Sequence, residues 1–218
     1  MDRMTEETTG VMLGQPADLN EGPKPFRFVI ESAVLKSILG FAAKGDIRYY
    51  LNAVLVEVTT AGDVVLVATD GHCLLAHRVI GEVENAVPGT LTIIARELLD
   101  RAKPAKGSKT VTVEIIGSRV SVIGELTSSA DAVEATFVNW RRVIPNEFTD
   151  RSAQINPRFF AKVAAHADSV LGKTASPECF SSGVGKPVLF TFGSDALAVL
   201  MPLREEPKFE GLPAWCAQ

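Results

Sequence analysis

Asp46 to Ile80 reads DIRYYLNAVLVEVTTAGDVVLVATDGHCLLAHRVI, and its apolar pattern decides the fold class. Three β-rich runs, Tyr50 to Thr59, Asp63 to Thr69 and Leu74 to Ile80, are separated by Thr60-Ala61-Gly62 and Asp70-Gly71. The stretch therefore predicts three consecutive antiparallel strands. Asp-Gly between β-branched runs predicts a type I′ turn, because both residues tolerate the positive φ that it needs.

On the N-terminal side, Phe26 to Ile30 predicts a strand. Ser32 then predicts an N-cap for a helix through about Ala43 that stops at Gly45. Val34, Leu35, Ile38, Leu39 and Ala42 form its apolar face. On the C-terminal side, Thr90 to Ile94 predicts a strand and Ala95 to Lys103 a helix ended by Pro104. A hairpin follows, Thr110 to Ile116 and Arg119 to Ile123, whose Gly117-Ser118 suits a type II′ turn. Ala132 to Phe137 supplies the last strand. The order is strand, helix, three strands, twice over: an α+β duplication of one βαβββ unit, with helices packed on antiparallel sheets.

Asn156-Pro157, an N-cap followed by proline at the first helical position, starts a further helix. Phe159, Phe160, Val163, Ala164, Ala167 and Val170 give its buried stripe, with Arg158, Lys162 and His166 on the other side. Gly172 to Lys186 reads as a loop, and Pro187 to Phe192 and Leu197 to Met201 as strands. The expected division is a poorly ordered segment 1–25, a complete domain 26–145, a half-domain 146–204 and a tail 205–218.

The chain has 218 residues, 46% of them hydrophobic, enough to bury a sizeable core. No apolar run approaches the ~20 residues of a membrane helix and no signal-peptide core stands at the start, so a cytoplasmic protein is expected. Cys73, Cys179 and Cys216 show no metal-ligand spacing, which predicts free thiols in a reducing compartment and neither metal nor cofactor. A net charge of −4 argues against a surface that is basic throughout, but allows one basic face.

Two stretches invite a catalytic reading, and neither sustains it. Asp70, His72 and Cys73 put an acid, a base and a thiol within four residues, but neighbours on a tight turn point apart, where catalysis needs convergence. Ser182 to Lys186 suggests a phosphate loop. Phe180 and Pro187, however, stand where that motif needs glycine and a hydroxyl residue. The expectation is a protein that is not an enzyme.

Four segments also carry a resemblance. RYYLN (Arg48 to Asn52), VATDGH (Val67 to His72), FVNWRRVIP (Phe137 to Pro145) and VLMPLR (Val199 to Arg204) follow one another as similar motifs do in the bacterial sliding clamp family, the beta subunit of DNA polymerase III. The first two resemble its middle domain, the third the FPDYRRVLP that ends that domain, and the last its C-terminal VMPMR. The family's last domain would need a second helix between Pro145 and Asn156. The chain therefore resembles the middle domain plus the second half of the C-terminal domain, and the implied fold is the DNA clamp, or processivity fold.

The resemblance implies a groove for clamp-interacting peptides of polymerase or repair partners. From its motifs the groove takes Leu51, then Thr69, Gly71, His72 and Leu74, then Val138, Arg142 and Val143, and finally Val199, Met201, Pro202, Leu203 and Arg204. Leu, Val, Met and Pro suit an apolar trough, and Arg and His suit polar orientation at its edge. It also implies contacts of helical cations with double-stranded DNA phosphates, through Lys36, Lys44, Arg96, Arg101, Lys103, Arg158 and Lys162. The alternative function is a module that never encircles DNA and competes with or modulates a full-length clamp. Cys73 stands where the family has arginine at the groove rim, and Val138-Asn139 replaces its Pro-Asp. The unfinished half-domain leaves an open edge; a monomer with that edge covered by Gly172 to Lys186 and the tail is expected over a ring.

Overall fold

The computed structural model describes residues 23–151 and 153–203. The expected disorder of 1–25 falls almost wholly outside them, and the tail 205–218 and Arg204 fall outside altogether. Unit one is β1 (Phe26–Glu31), α1 (Ser32–Leu39), β2 (Ala53–Val58), β3 (Val64–Thr69) and β4 (Cys73–Arg78). The two-residue β5 (Val83–Glu84) leads to unit two: β6 (Leu91–Ala95), α2 (Arg96–Asp100), β7 (Thr110–Ile116), β8 (Arg119–Ile123) and β9 (Ser128–Asp131). Unit three holds α3 (Pro157–Val170), β10 (Glu178–Ser181), β11 (Val188–Phe192) and β12 (Ala196–Leu200).

The duplication read from the sequence is thus present, with a feature that no pattern announces. Each unit hands its first strand to the other: β1 pairs with β7 and β6 pairs with β2, both antiparallel. One sheet runs β5-β1-β7-β8-β9, and the other continues from unit one into unit three as β10-β11-β12-β4-β3-β2-β6. Phe28, Leu35, Ile38, Leu66, Leu75, Ile94 and Leu99 are fully or almost fully buried between the layers. Each large apolar side chain contributes about 1.5–3 kcal/mol relative to exposure.

The local differences from the sequence reading have identifiable causes. The first strand of the opening stretch begins at Ala53, because Tyr49–Asn52 forms a 3-10 turn. The Asn52 side chain clasps Asp46, accepting from its N–H at 2.9 Å and donating to its carbonyl at 2.7 Å. Helix α1 stops at Leu39 rather than Ala43, since Arg96 donates to the Leu39 and Ala42 carbonyls. Ser32 is its first helical residue, and the preceding Glu31 makes no side-chain cap.

Asp70 keeps a negative φ and only Gly71 is left-handed, so that turn is not type I′. The Asp70 carboxylate instead accepts from the N–H groups of His72 and Cys73, both at 2.9 Å. Helix α2 ends at Asp100, three residues short of Lys103. The last strand of unit two is Ser128–Asp131, not Ala132 to Phe137, which leaves the β8 edge to reach β6, where Val133 donates to the Ile93 carbonyl. Strand β10 lies within the expected loop, because its partner β11 supplies the ladder that its own sequence does not announce. In α3, Ala164 and Phe160 are exposed and His166 is fully buried, a rotation of the predicted stripe. No helix among the described residues is long and apolar enough to cross a membrane.

Candidate functional site

The junction between units one and three is the β4–β12 ladder, in register from Cys73 opposite Leu200 to His77 opposite Ala196. Beyond the Leu200 end, Met201 donates its N–H to the His72 carbonyl at 2.8 Å, and Leu203 donates to the Gln154 carbonyl at 2.7 Å. These bonds hold the end of β12 against the Asp70–His72 turn. The 3-10 turns Tyr49–Asn52 and Trp140–Val143 close the same corner.

A pocket of about 190 Å³ opens there. Its floor is apolar and buried, from Leu51, Leu74 and Val199, while Val138, Val143 and Met201 form half-exposed walls. Thr69, Gly71 and His72 complete the predicted residues that line it. Arg142, Pro202 and Leu203 do not line the pocket, and Leu203 is exposed nearby on the chain. Arg48, Tyr50, Cys73, Asn139 and Trp140 line it without having been assigned to it. The quoted motif segments did contain Arg48, Tyr50, Asn139 and Trp140, which was the available signal.

The walls are fixed by part-buried polar contacts. Trp140 donates Nε1–H to Glu57 at 2.9 Å, and the Arg141 guanidinium reaches the same carboxylate at 2.8 Å while lying over the Trp140 ring. Burial opposes ionisation of Glu57, but these two donors outweigh it and hold the carboxyl below its usual range. On the opposite side Lys162 of α3 donates to Asp70 at 2.6 Å, and the His72 ring stacks on Phe159. Burial disfavours both charges of the Asp70–Lys162 pair. Their mutual bond prevails, lowering the carboxyl pKa and raising the ammonium pKa.

Cys73 is not a rim residue. Its side chain is buried, with Sγ 3.3 Å from both Asp70 and Lys162. Burial first, and then the Asp70 carboxylate, push its thiol up to about 12. At neutral pH it is a thiol rather than a nucleophilic thiolate. Asp70 meanwhile serves two backbone amides and a lysine, so the three residues build a turn and not a relay. Ser182 to Lys186 joins two strands, β10 and β11, with no helix start to hold a phosphate.

Of the cations assigned to DNA, Lys36, Lys44, Arg101, Lys103 and Arg158 are exposed on or next to the three helices. Arg96 and Lys162 are engaged internally, as described above.

Exchanged βαβββ units, two antiparallel sheets and helices packed against them define the DNA clamp fold. Sequence and structure comparisons name the clamp. The chain is 28% identical over 133 residues to the beta sliding clamp of Pseudomonas aeruginosa, an alignment covering 58% of this chain and 36% of that protein. The matched region is thus little more than a third of this relative's length. Its fold is similar to DNA polymerase III beta subunit from Thermotoga maritima, with a TM-score of 0.62, 18% identity and coverage of 87% and 70% of the two chains. It is also similar to the Borrelia burgdorferi beta subunit, solved in complex with a natural product, with a TM-score of 0.64, 13% identity and coverage of 87% and 66%. No protein-family profile matches the chain. In sequence and fold the chain resembles bacterial beta sliding clamps.

Proposed function

We propose that this chain is a non-catalytic, clamp-like accessory protein of cytoplasmic DNA replication or repair. It holds short apolar peptide motifs of polymerase or repair partners in the junction pocket. The observation that carries this reading is convergence: Leu51, the Thr69–Leu74 turn, Val138, Val143, Val199 and Met201 come from separate sequence segments and line one pocket. Its volume of about 190 Å³ is below that of a small-molecule site, and suits one or two anchoring side chains with the rest of a peptide outside. The exposed lysines and arginines near the helices support a second, non-specific contact with duplex DNA phosphates, which weakens steeply with salt.

Burying two large apolar side chains gives roughly 1.5–3 kcal/mol each before ordering costs, which predicts micromolar affinity. Titration calorimetry with a peptide carrying the glutamine, leucine and phenylalanine motif of clamp partners tests the reading. Met201→Asp, at an exposed wall, should abolish the heat while leaving the melting transition in place. Absence of binding to the parent protein at millimolar peptide would refute it.

A further inference from the structure

Unit three departs from the other two in one respect. In units one and two the strand just before the helix leaves its own unit: β1 lies along β7 from Phe26 to Glu31, and β6 lies along β2 from Leu91 to Ala95. Strand β10 is the counterpart of β2 and β7, the outermost of its unit's three strands. Among the described residues, no strand of another unit lies beside it. The residues just before α3 fold back onto it instead. Thr149 donates its N–H to the Ser181 carbonyl at 2.8 Å, and the Ser181 hydroxyl donates to the Arg151 carbonyl at 2.6 Å. Among the described residues, that Thr149 bond is the only main-chain hydrogen bond on the outer edge of β10, where β2 and β7 each carry a full ladder.

Burial follows the same division. Strand β2 is buried almost throughout and β7 at every second residue, whereas Glu178, Cys179 and Phe180 of β10 are exposed. Aromatic rings gather there with much of their surface in water: Phe148 is 50% exposed, Phe160 44% and Phe180 36%. Phe148 packs on Phe180 on one face of the sheet and Phe160 on Phe190 on the other, the helix side, so exposed rings flank the outer edge of β10 on both faces. An open strand edge flanked by apolar rings marks an interface.

We infer that a second copy of this chain occupies this edge and covers the rings beside it, and that the two copies exchange the residues just before α3, so that Thr149 and Arg151 of each lie on the other's β10. The template is internal. Units one and two already join by mutual exchange of the strand before the helix, about a pseudo-two-fold axis. Two copies of unit three joined in that manner complete one further domain at a true two-fold axis, with the same patch on both sides. Exchange adds little cost, because the Thr149–Ser181 contact made within one chain is remade between chains.

The test uses the full chain. Sedimentation at tens of micromolar should give twice the 23.4 kDa chain mass, and Phe160→Glu and Phe180→Asp should each return a monomer. Exchange is read separately, by placing Thr149→Cys and Ser181→Cys together in a background of Cys73→Ser, Cys179→Ser and Cys216→Ser. The Thr149–Ser181 main-chain bond brings the two positions together, and the disulfide between them should link two chains on a non-reducing gel. A monomer in the parent protein, a dimer indifferent to both phenylalanine substitutions, or a disulfide closed within one chain would each overturn the inference. A retained melting transition in both phenylalanine variants shows that the complete domain still folds.

Discussion

Acid should destabilise the protein through two histidines buried where units one and three meet. His77 of β4 and His166 of α3 are 3% and 0% exposed, with ring centroids 5.3 Å apart. His166 also packs edge-on against Phe192 of β11, and its Nδ1 meets the Ser37 hydroxyl of α1 at 2.8 Å. Burial lowers His77 from 6.5 to about 4, against a weak opposing pull from Asp195, and burial aided by His77 lowers His166 to about 3. Both are neutral in the folded protein, and the unfolded chain takes up the protons. Stability is therefore intact above pH 6.5 and is lost as pH falls from there towards the folded values. At pH 5 each histidine costs about 2 kcal/mol, or about 4 kcal/mol together, an order-of-magnitude figure for a coupled pair. Asp46, Glu57, Asp70 and Asp195 are all held below their usual range, so their contribution is lost only at lower pH. Urea unfolding at pH 7.5 and pH 5 should show a midpoint lower in acid by about 2 M, for a slope of about 2 kcal/mol/M. The double variant His77→Leu and His166→Leu should flatten that difference, since Ser37 keeps its bond to the Val34 carbonyl. An equal acid shift in the double variant would refute the reasoning.

Lys162→Met should destabilise by about 2 kcal/mol, less than for a fully buried pair, by leaving Asp70 half-buried without its cation; an NMR titration should find the Asp70 carboxyl protonating at higher pH. Cys73→Ser should change a thermal melt little, whereas Cys73→Arg should cost more than about 2 kcal/mol, because the buried site already faces the Lys162 ammonium. A Cβ on Gly81 would lie 2.2 Å from the Val29 carbonyl oxygen, and one on Gly124 2.0 Å from that of Lys103. Both contacts are with backbone, so Gly81→Ala and Gly124→Ala should each cost about 1–3 kcal/mol in urea unfolding.

Local rules in the sequence foretold the elements whose signals are self-contained. Gly117, at a φ of 60°, turns β7 into β8 where predicted, and Asn156 caps α3 by accepting from the Arg158 N–H at 3.0 Å. Elements defined by a distant partner were not legible. β10 is a strand because β11 lies beside it, and α1 is short because Arg96, far along the chain, takes its terminal carbonyls. The pocket followed the same division. Its motif residues could be named from their segments, but Cys73 could not be assigned to the interior until α3 brought Lys162 over it. His166 reads as a polar residue on a helix, and only the packing of α3 on α1 and β4 makes it part of the core.

The junction explains how the pocket keeps its shape beside unit three, whose outermost strand has one sheet neighbour among the described residues. Leu75, Ala198 and Leu200 are fully buried in the β4–β12 ladder, and the pocket sits at one end of it. The outer edge of β10 lies on the far side of β12 and β11. The two surfaces share a sheet but no lining residue: Phe180 stands in one cross-strand row with Leu189, Val199 and Leu74, so a charge there reaches the pocket only through the buried Leu189. Peptide affinity measured on Phe180→Asp should match the parent within about twofold, as expected for separated sites. A larger loss would mean that the pocket depends on pairing of two copies, and that unit three holds its shape only when its open edge is covered.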